Sequence, residues 1–201
     1  AKLPHTSSVI SLSFSPDGQT VATATFNDTA HLWNLQGKEL AKLPHSGWVT
    51  LHRGNLITRV SFSPDGKTIA TASADNTVRL WNLQGKELVK LQGHSEPVTQ
   101  ISFSPDGQTV ATGSLDNTAR LWNLQGKELT KIQHSSWVMS ISFSPDSQTV
   151  ATTSWENTAR LWNLQGQELA KLQHSTPVQS VSFSPDGKTI ATASEDNTAR
   201  L

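Results

Sequence analysis

The stretch ISFSPDGQTVATGSLDNTARLWNLQGKEL, from Ile101 to Leu129, decides the fold. Pro97–Ser104 is rich in β-formers and ends at Pro105-Asp106-Gly107, where proline presets φ and glycine accepts positive φ. Small and β-branched residues follow over Thr109–Ser114. Asp116-Asn117 makes a second turn, Thr118–Leu124 a third strand broken by Gln125-Gly126, and Glu128–Gln133 a fourth. Nothing here sustains the roughly 10–12 residues of helical periodicity that would compete. Apolar residues fall on both faces of these strands, as in Ile101 and Phe103, Val110 and Ala111, Leu121 and Trp122. A sheet with two apolar faces must be covered on both, which blades stacked around an axis achieve. The expected fold is therefore all-β, a β-propeller of four-stranded antiparallel blades.

The same pattern recurs along the chain. Ser-Phe-Ser-Pro-Asp occurs five times, with its phenylalanine at Phe14, Phe62, Phe103, Phe143 and Phe183, spaced 48, 41, 40 and 40 residues apart. Leu-Trp-Asn-Leu-Gln-Gly keeps step with it at Trp33, Trp81, Trp122 and Trp162. Two markers in register define one duplicated unit of about 40 residues, the period of a four-stranded propeller blade. The repeat also explains why 201 residues hold seven tryptophans and no tyrosine.

The unit places a His before its first strand, then Phe-Ser-Pro-Asp-Gly, Ala-Thr-x-Ser-x-Asp-Asn-Thr and Arg-Leu-Trp-Asn, in full in the second and third copies. In these motifs the chain resembles the WD-repeat β-propeller family, and its near-identical units resemble bacterial, cyanobacterial-type members. One departure is uniform: Asn34, Asn82, Asn123 and Asn163 follow the tryptophan where the family has Asp. The resemblance implies a hydrogen-bonded set of His, Ser or Thr, Asp and Trp inside each blade. His45, Ser73, Asp75 and Trp81 fit it in full, as do His94, Ser114, Asp116 and Trp122. Elsewhere Asn27 and Glu156 replace the Asp, and the fifth unit has no tryptophan.

Residues 1–201 are expected to form a single propeller of five units. Ala1-Lys2-Leu3 reads as the end of a fourth strand, and Leu201 falls within a third. The N-terminal strand, residues 1–4, would then close a blade with the C-terminal strands of residues 177–201. The family favours seven blades, so two readings stay open. One is a closed five-bladed ring; the other is part of a larger ring, completed by other blades or by self-assembly. A start without methionine and a stop just before a core tryptophan incline toward the second. Some closure is expected in either case, since an open arc would expose two apolar blade faces.

Sixteen basic and sixteen acidic residues balance to zero net charge, without the basic excess expected of a nucleic-acid or anionic-membrane binder. No apolar run approaches the ~20 residues of a membrane helix. Cysteine is absent, so disulfides and thiolate metal sites are excluded. His5, His45, His94, His134 and His174 recur once per unit, too far apart to converge on a metal, and five copies of one Ser-His-Asp site are implausible. The turns Asp65-Gly66 and Asp106-Gly107 each offer one carboxylate, against the roughly 6–8 oxygens calcium takes. No metal, cofactor or catalytic residue is expected. Ser147 replaces the glycine of one such turn, which predicts strain if that position needs positive φ.

Comparing the units shows where they differ. The Pro-Asp-Gly and Leu-Gln-Gly turns share one end of each blade and are almost identical throughout. At the other end, the turn after the second strand holds Phe26, Ala74, Leu115, Trp155 and Glu195 in successive units. The preceding inter-blade loop holds Ser8, Pro97, Trp137 and Pro177, and carries Trp48, His52 and Arg53 in an expansion within residues 45–57. Large aromatics that the repeat does not require are candidate anchors, since tryptophan is enriched in interface hot spots. Phe26, Trp48, Arg53, Leu115, Trp137, Trp155 and Glu195 are the expected partner-binding residues, Trp137 and Trp155 foremost. The expected function is a non-catalytic scaffold or sensor module of a bacterial signalling protein, binding a protein or peptide and located in the cytoplasm. A carbohydrate-binding propeller using exposed tryptophans is the alternative, as is a designed or truncated repeat chain with no natural partner.

Overall fold

A computed structural model describes residues 1–45 and 57–201. Its strands form five antiparallel sheets, four of four strands and one of three. Blade 1 comprises β1 (Val9–Phe14), β2 (Thr20–Thr25), β3 (Thr29–Asn34) and β4 (Glu39–Pro44). Blade 2 comprises β5 (Ile57–Phe62), β6 (Thr68–Ser73), β7 (Thr77–Asn82) and β8 (Glu87–Gln92). Blade 3 comprises β9 (Val98–Phe103), β10 (Thr109–Ser114), β11 (Thr118–Asn123) and β12 (Glu128–Gln133). Blade 4 comprises β13 (Val138–Phe143), β14 (Thr149–Ser154), β15 (Thr158–Asn163) and β16 (Glu168–Gln173). Blade 5 has β17 (Val178–Phe183), β18 (Ile190–Ser194) and β19 (Ala199–Arg200). The strands follow one another in simple meander order within every sheet. The chain divides into two compact units, Ala1–Ile101 and Ser102–Leu201.

Turn chemistry sets the period. In blade 1 the Ser15 hydroxyl donates to Asp17 at 2.6 Å and accepts from the Thr20 amide at 2.9 Å. Asp17 in turn accepts from the Gln19 amide at 3.0 Å. Ser63–Asp65, Ser104–Asp106, Ser144–Asp146 and Ser184–Asp186 repeat this. The serine hydroxyl, then the turn amide, hold the Asp17, Asp65, Asp146 and Asp186 carboxyls below their ordinary range. At the second turn of this end, the Asn34 side-chain oxygen accepts from the Gln36 and Lys38 amides at 3.1 and 2.9 Å. Asn82, Asn123 and Asn163 do the same. An amide oxygen accepts these bonds as a carboxylate would, so the uniform Asn costs the turn nothing.

Ser147 sits at φ 62, where the corresponding Gly66, Gly107 and Gly187 have φ of 70, 71 and 71. The left-handed conformation foreseen for this serine is therefore present. Its hydroxyl accepts from the Asp106 amide of the preceding blade's turn at 3.1 Å, a bond no glycine can make.

Each compact unit packs blade against blade. In the first, Ala22, Ala24, Ala30, Leu32 and Leu43 of blade 1 meet Ile57, Val60, Phe62, Ile69 and Trp81 of blade 2. In the second, Ala111 and Leu121 of blade 3 meet Phe143 and Val150 of blade 4, while Ala119 and Ile132 meet Val138 and Trp162. Small residues on the leading blade leave room for large ones on the following blade. Gly113 carries this furthest: a Cβ there would lie 2.7 Å from Val138 Cγ1.

Candidate functional site

Beneath the variable end of each blade runs a buried chain of hydrogen bonds. In blade 2 the Trp81 indole donates to the Thr71 hydroxyl at 2.8 Å, and Thr71 lies 2.6 Å from His45 Nε2. His45 Nδ1 lies 3.2 Å from Asp75. An ionised Asp75 only accepts, so the neutral imidazole carries its proton on Nδ1, and Nε2 accepts from the Thr71 hydroxyl, which in turn accepts from the indole. Burial pushes His45 below its ordinary value, outweighing the upward pull of Asp75. Burial alone would raise the Asp75 carboxyl, but bonds from His45 and Thr77 bring it well below the usual range.

The bridging hydroxyl recurs. Trp33 donates to Thr23 at 2.9 Å, Trp122 to Thr112 at 2.9 Å and Trp162 to Thr152 at 2.8 Å. His5, His134 and His174 stand 3.3, 3.2 and 3.1 Å from Thr23, Thr152 and Thr192. The residue joining His to Trp is thus a threonine two positions before Ser73. Ser73 and Ser114 instead accept the Asp75 and Asp116 amides, each at 3.1 Å, and shape the turn. Asp116 also accepts from Thr118 at 2.6 Å and lies 3.6 Å from Arg120, while His94 is buried.

Above this layer the blades part company. Trp137, in the loop before β13, and Trp155, in the β14–β15 turn, are 49% and 44% exposed. Their ring centroids are 6.5 Å apart at an interplanar angle of 49°, and the Trp155 amide donates to the Trp137 carbonyl at 3.0 Å. The same backbone bond joins Phe26 to Ser8 at 2.7 Å and Glu195 to Pro177 at 3.1 Å. The two variable positions of a blade are therefore neighbours wherever this bond forms. Phe26 is exposed, Leu115 half-buried at its turn, and Glu195 exposed with Gln179 donating to it at 2.6 Å. Trp48 and Arg53 lie outside the described residues.

Glu156 is the residue whose importance sequence comparison understated. It reads there as a stand-in for Asp, and its carboxylate reaches two loops at once, as Asp196 does in blade 5 by accepting from Ser175 at 3.1 Å. Glu156 accepts from Ser154 at 2.7 Å, His134 at 3.1 Å and Arg160 at 3.0 Å, and also from Ser135. Ser135 lies on the loop bearing Trp137, and Ser154 immediately precedes Trp155. Burial would raise this carboxyl, but bonds from Ser135, Ser154 and His134 bring it down to about 2. Burial likewise pushes His134 below its ordinary value. Arg160 also stands over Trp162, 5.9 Å from the ring centroid. Among the described residues, no group of three His, Asp or Glu side chains could hold a metal.

Five meander sheets with a repeated His–Thr–Trp bridge define a WD-repeat propeller. The chain belongs to this family: residues 50–201 match the model for the IFT122 first beta-propeller, and residues 2–34 match the WD domain, G-beta repeat. No curated protein matches it.

Proposed function

We propose that this chain is a non-catalytic interaction module that binds an extended protein or peptide segment through Trp137 and Trp155. The observation that carries the reading is a pair of half-exposed indoles in mutual contact on a clamped support. Blades 1 and 5 hold Ser8 with Phe26 and Pro177 with Glu195 at the matching positions, so the fold does not demand tryptophan there. Covering what each ring still exposes removes roughly 100 Å² of apolar surface, worth about 2.5 kcal/mol per ring before binding costs. The rings are tilted at 49° rather than coplanar, so they present an uneven apolar surface to a partner. Balanced charge and half-exposed aromatics agree with a protein partner, and a bacterial signalling role in the cytoplasm is part of the same proposal.

The test is selection of peptides from a random display library on the native protein, counter-selected on the W137A/W155A double variant. Enriched sequences should carry an apolar or aromatic anchor and bind in the micromolar range by fluorescence anisotropy. Failure to enrich any peptide, together with W137A/W155A-sensitive binding on a glycan array, would replace this reading with the carbohydrate one.

A further inference from the structure

Blades 4 and 5 carry opposite chemistry at the same positions. β13 begins Val138-Met139 and β17 begins Val178-Gln179. Both strands bulge there, with Val138 opposite Ser154 and Val178 opposite Ser194, so Met139 and Gln179 are each the extra residue. A bulge re-aims a side chain, and on blade 5 it sends Gln179 to the turn, where its side-chain amide donates to Glu195 at 2.6 Å. Met139 holds the equivalent place beside Trp155; it is half-buried and is the chain's one methionine. The rim of blade 4 thus presents Trp137, Met139 and Trp155, and the rim of blade 5 presents Pro177, Gln179 and Glu195.

The two rims are continuous. β14 packs against β17, and the Ser140 hydroxyl of β13 accepts the Val181 amide at 3.4 Å. Where Gly113 meets Val138 between blades 3 and 4, the matching residues between blades 4 and 5 are Thr153 and Val178, both fully buried. Trp155 lies two residues past Thr153 and Pro177 directly precedes Val178, so the two reach the rim side by side. Pro177 in turn accepts the Glu195 amide at 3.1 Å. A strip therefore runs from Trp137 through Trp155 and Pro177 to the carboxylate of Glu195.

Glu195 differs from the other acids at this end. Asp116, Glu156 and Asp196 each lie within 3.6 Å of the arginine four residues on. Glu195 has Gln179 on Oε1, and its Oε2 accepts nothing among the described residues. The loops at residues 115–117, 135–137, 155–157, 175–177 and 195–197 hold no lysine or arginine that could serve it. Its exposure comes with the turn tip: Phe26 and Trp155 hold the same position and are 57% and 44% exposed, with a blade following each.

We propose that the segment held by Trp137 and Trp155 carries a basic residue beside its apolar anchor, and that Glu195 receives it. This rests on the reading of the two tryptophans as a peptide site. Trp155 and Pro177 give the aliphatic stem of a lysine or arginine an apolar floor, and the open oxygen of Glu195 accepts from the charged head. Anchor and cation have separate receivers on adjoining blades, so the strip reads the order of two residues and with it the direction of the segment. The same carboxylate disfavours an acidic segment.

Fluorescence anisotropy of peptides enriched on the native protein tests this on native, E195Q and E195K protein, each peptide paired with versions in which its basic residue is Gln or Glu. Enriched sequences should share a Lys or Arg at a fixed offset from the anchor. Its exchange for Gln should weaken binding roughly two- to fivefold on native protein and leave binding to E195Q unchanged. E195K should prefer the Glu version, and the native preference for the basic version should shrink as salt rises. Both variants should keep the native circular dichroism, since the Glu195 side chain is exposed and holds only Gln179. Enriched peptides without a shared basic residue, or a Gln exchange that costs as much on E195Q as on native protein, overturn this inference; retained sensitivity to W137A/W155A then leaves the peptide site standing. Binding indifferent to W137A/W155A, or no enrichment at all, overturns both.

Discussion

The buried bridge and the rim above it obey opposite rules. Thr23, Thr71, Thr112 and Thr152 each accept an indole N–H within 2.8–2.9 Å, so the bridge is the same from blade to blade. A few residues away, the rim holds Ser8 with Phe26, Trp137 with Trp155, and Pro177 with Glu195 on one unchanging backbone bond. A buried donor left without a partner is costly, which fixes the bridge. An exposed turn side chain is held by no such penalty, so its identity is free to answer to something outside the fold. The repeat thereby separates residues that make the blade from residues that use it.

Breaking the bridge should have the largest effect. Thr71→Val keeps the shape but orphans the Trp81 indole N–H and His45 Nε2, and two buried unpaired groups cost about 2–4 kcal/mol together. Urea unfolding should show this as a lower midpoint. The rim predicts the reverse pattern: W137A/W155A should weaken a selected peptide at least about tenfold, yet lose only the roughly 0.5–1.5 kcal/mol of one aromatic pair in stability.

Between the two lies Glu156, which belongs to both layers. Its folded value is depressed to about 2, so its contribution is fully present above the ordinary glutamate value near 4.3 and is lost as pH falls through about 2. The stability gap between native protein and E156Q should therefore be constant from neutral pH down to about 5 and shrink below about 4. His45 and His134, pushed down by burial, act in a separate window. The unfolded chain takes up protons near pH 6.5 before the folded one does, so stability already declines from there. H134Q should flatten part of that decline in thermal melts. The smallest effect is expected at the other end of the blade. S147A keeps the positive φ and loses the bond to Asp106, costing about 1 kcal/mol, whereas S147G trades that bond for relief of strain and should come out near zero.

Much of this was legible in the sequence. Thr109–Ser114 and Glu128–Gln133 are strands with those bounds, because Gly and Asn turns punctuate a strict repeat. The Trp137–Trp155 pair was found by comparing units, since a departure stands out against near-identical copies. The bridging hydroxyl was not legible. Thr71 and Ser73 are both buried hydroxyls two residues apart on one face of β6, and alternation cannot choose between them. Glu156 gave no sign of its reach in the sequence, because that reach depends on where the fold places Ser135.

The separation of bridge from rim is tested most directly by one ratio, the dissociation constant of a selected peptide on W137A/W155A over that on the native protein, read beside their melting profiles. The account predicts a ratio of about ten or more with melts that differ by only a few degrees. A ratio near one, or a melt that collapses as it does for Thr71→Val, would contradict it and return the two tryptophans to the fold.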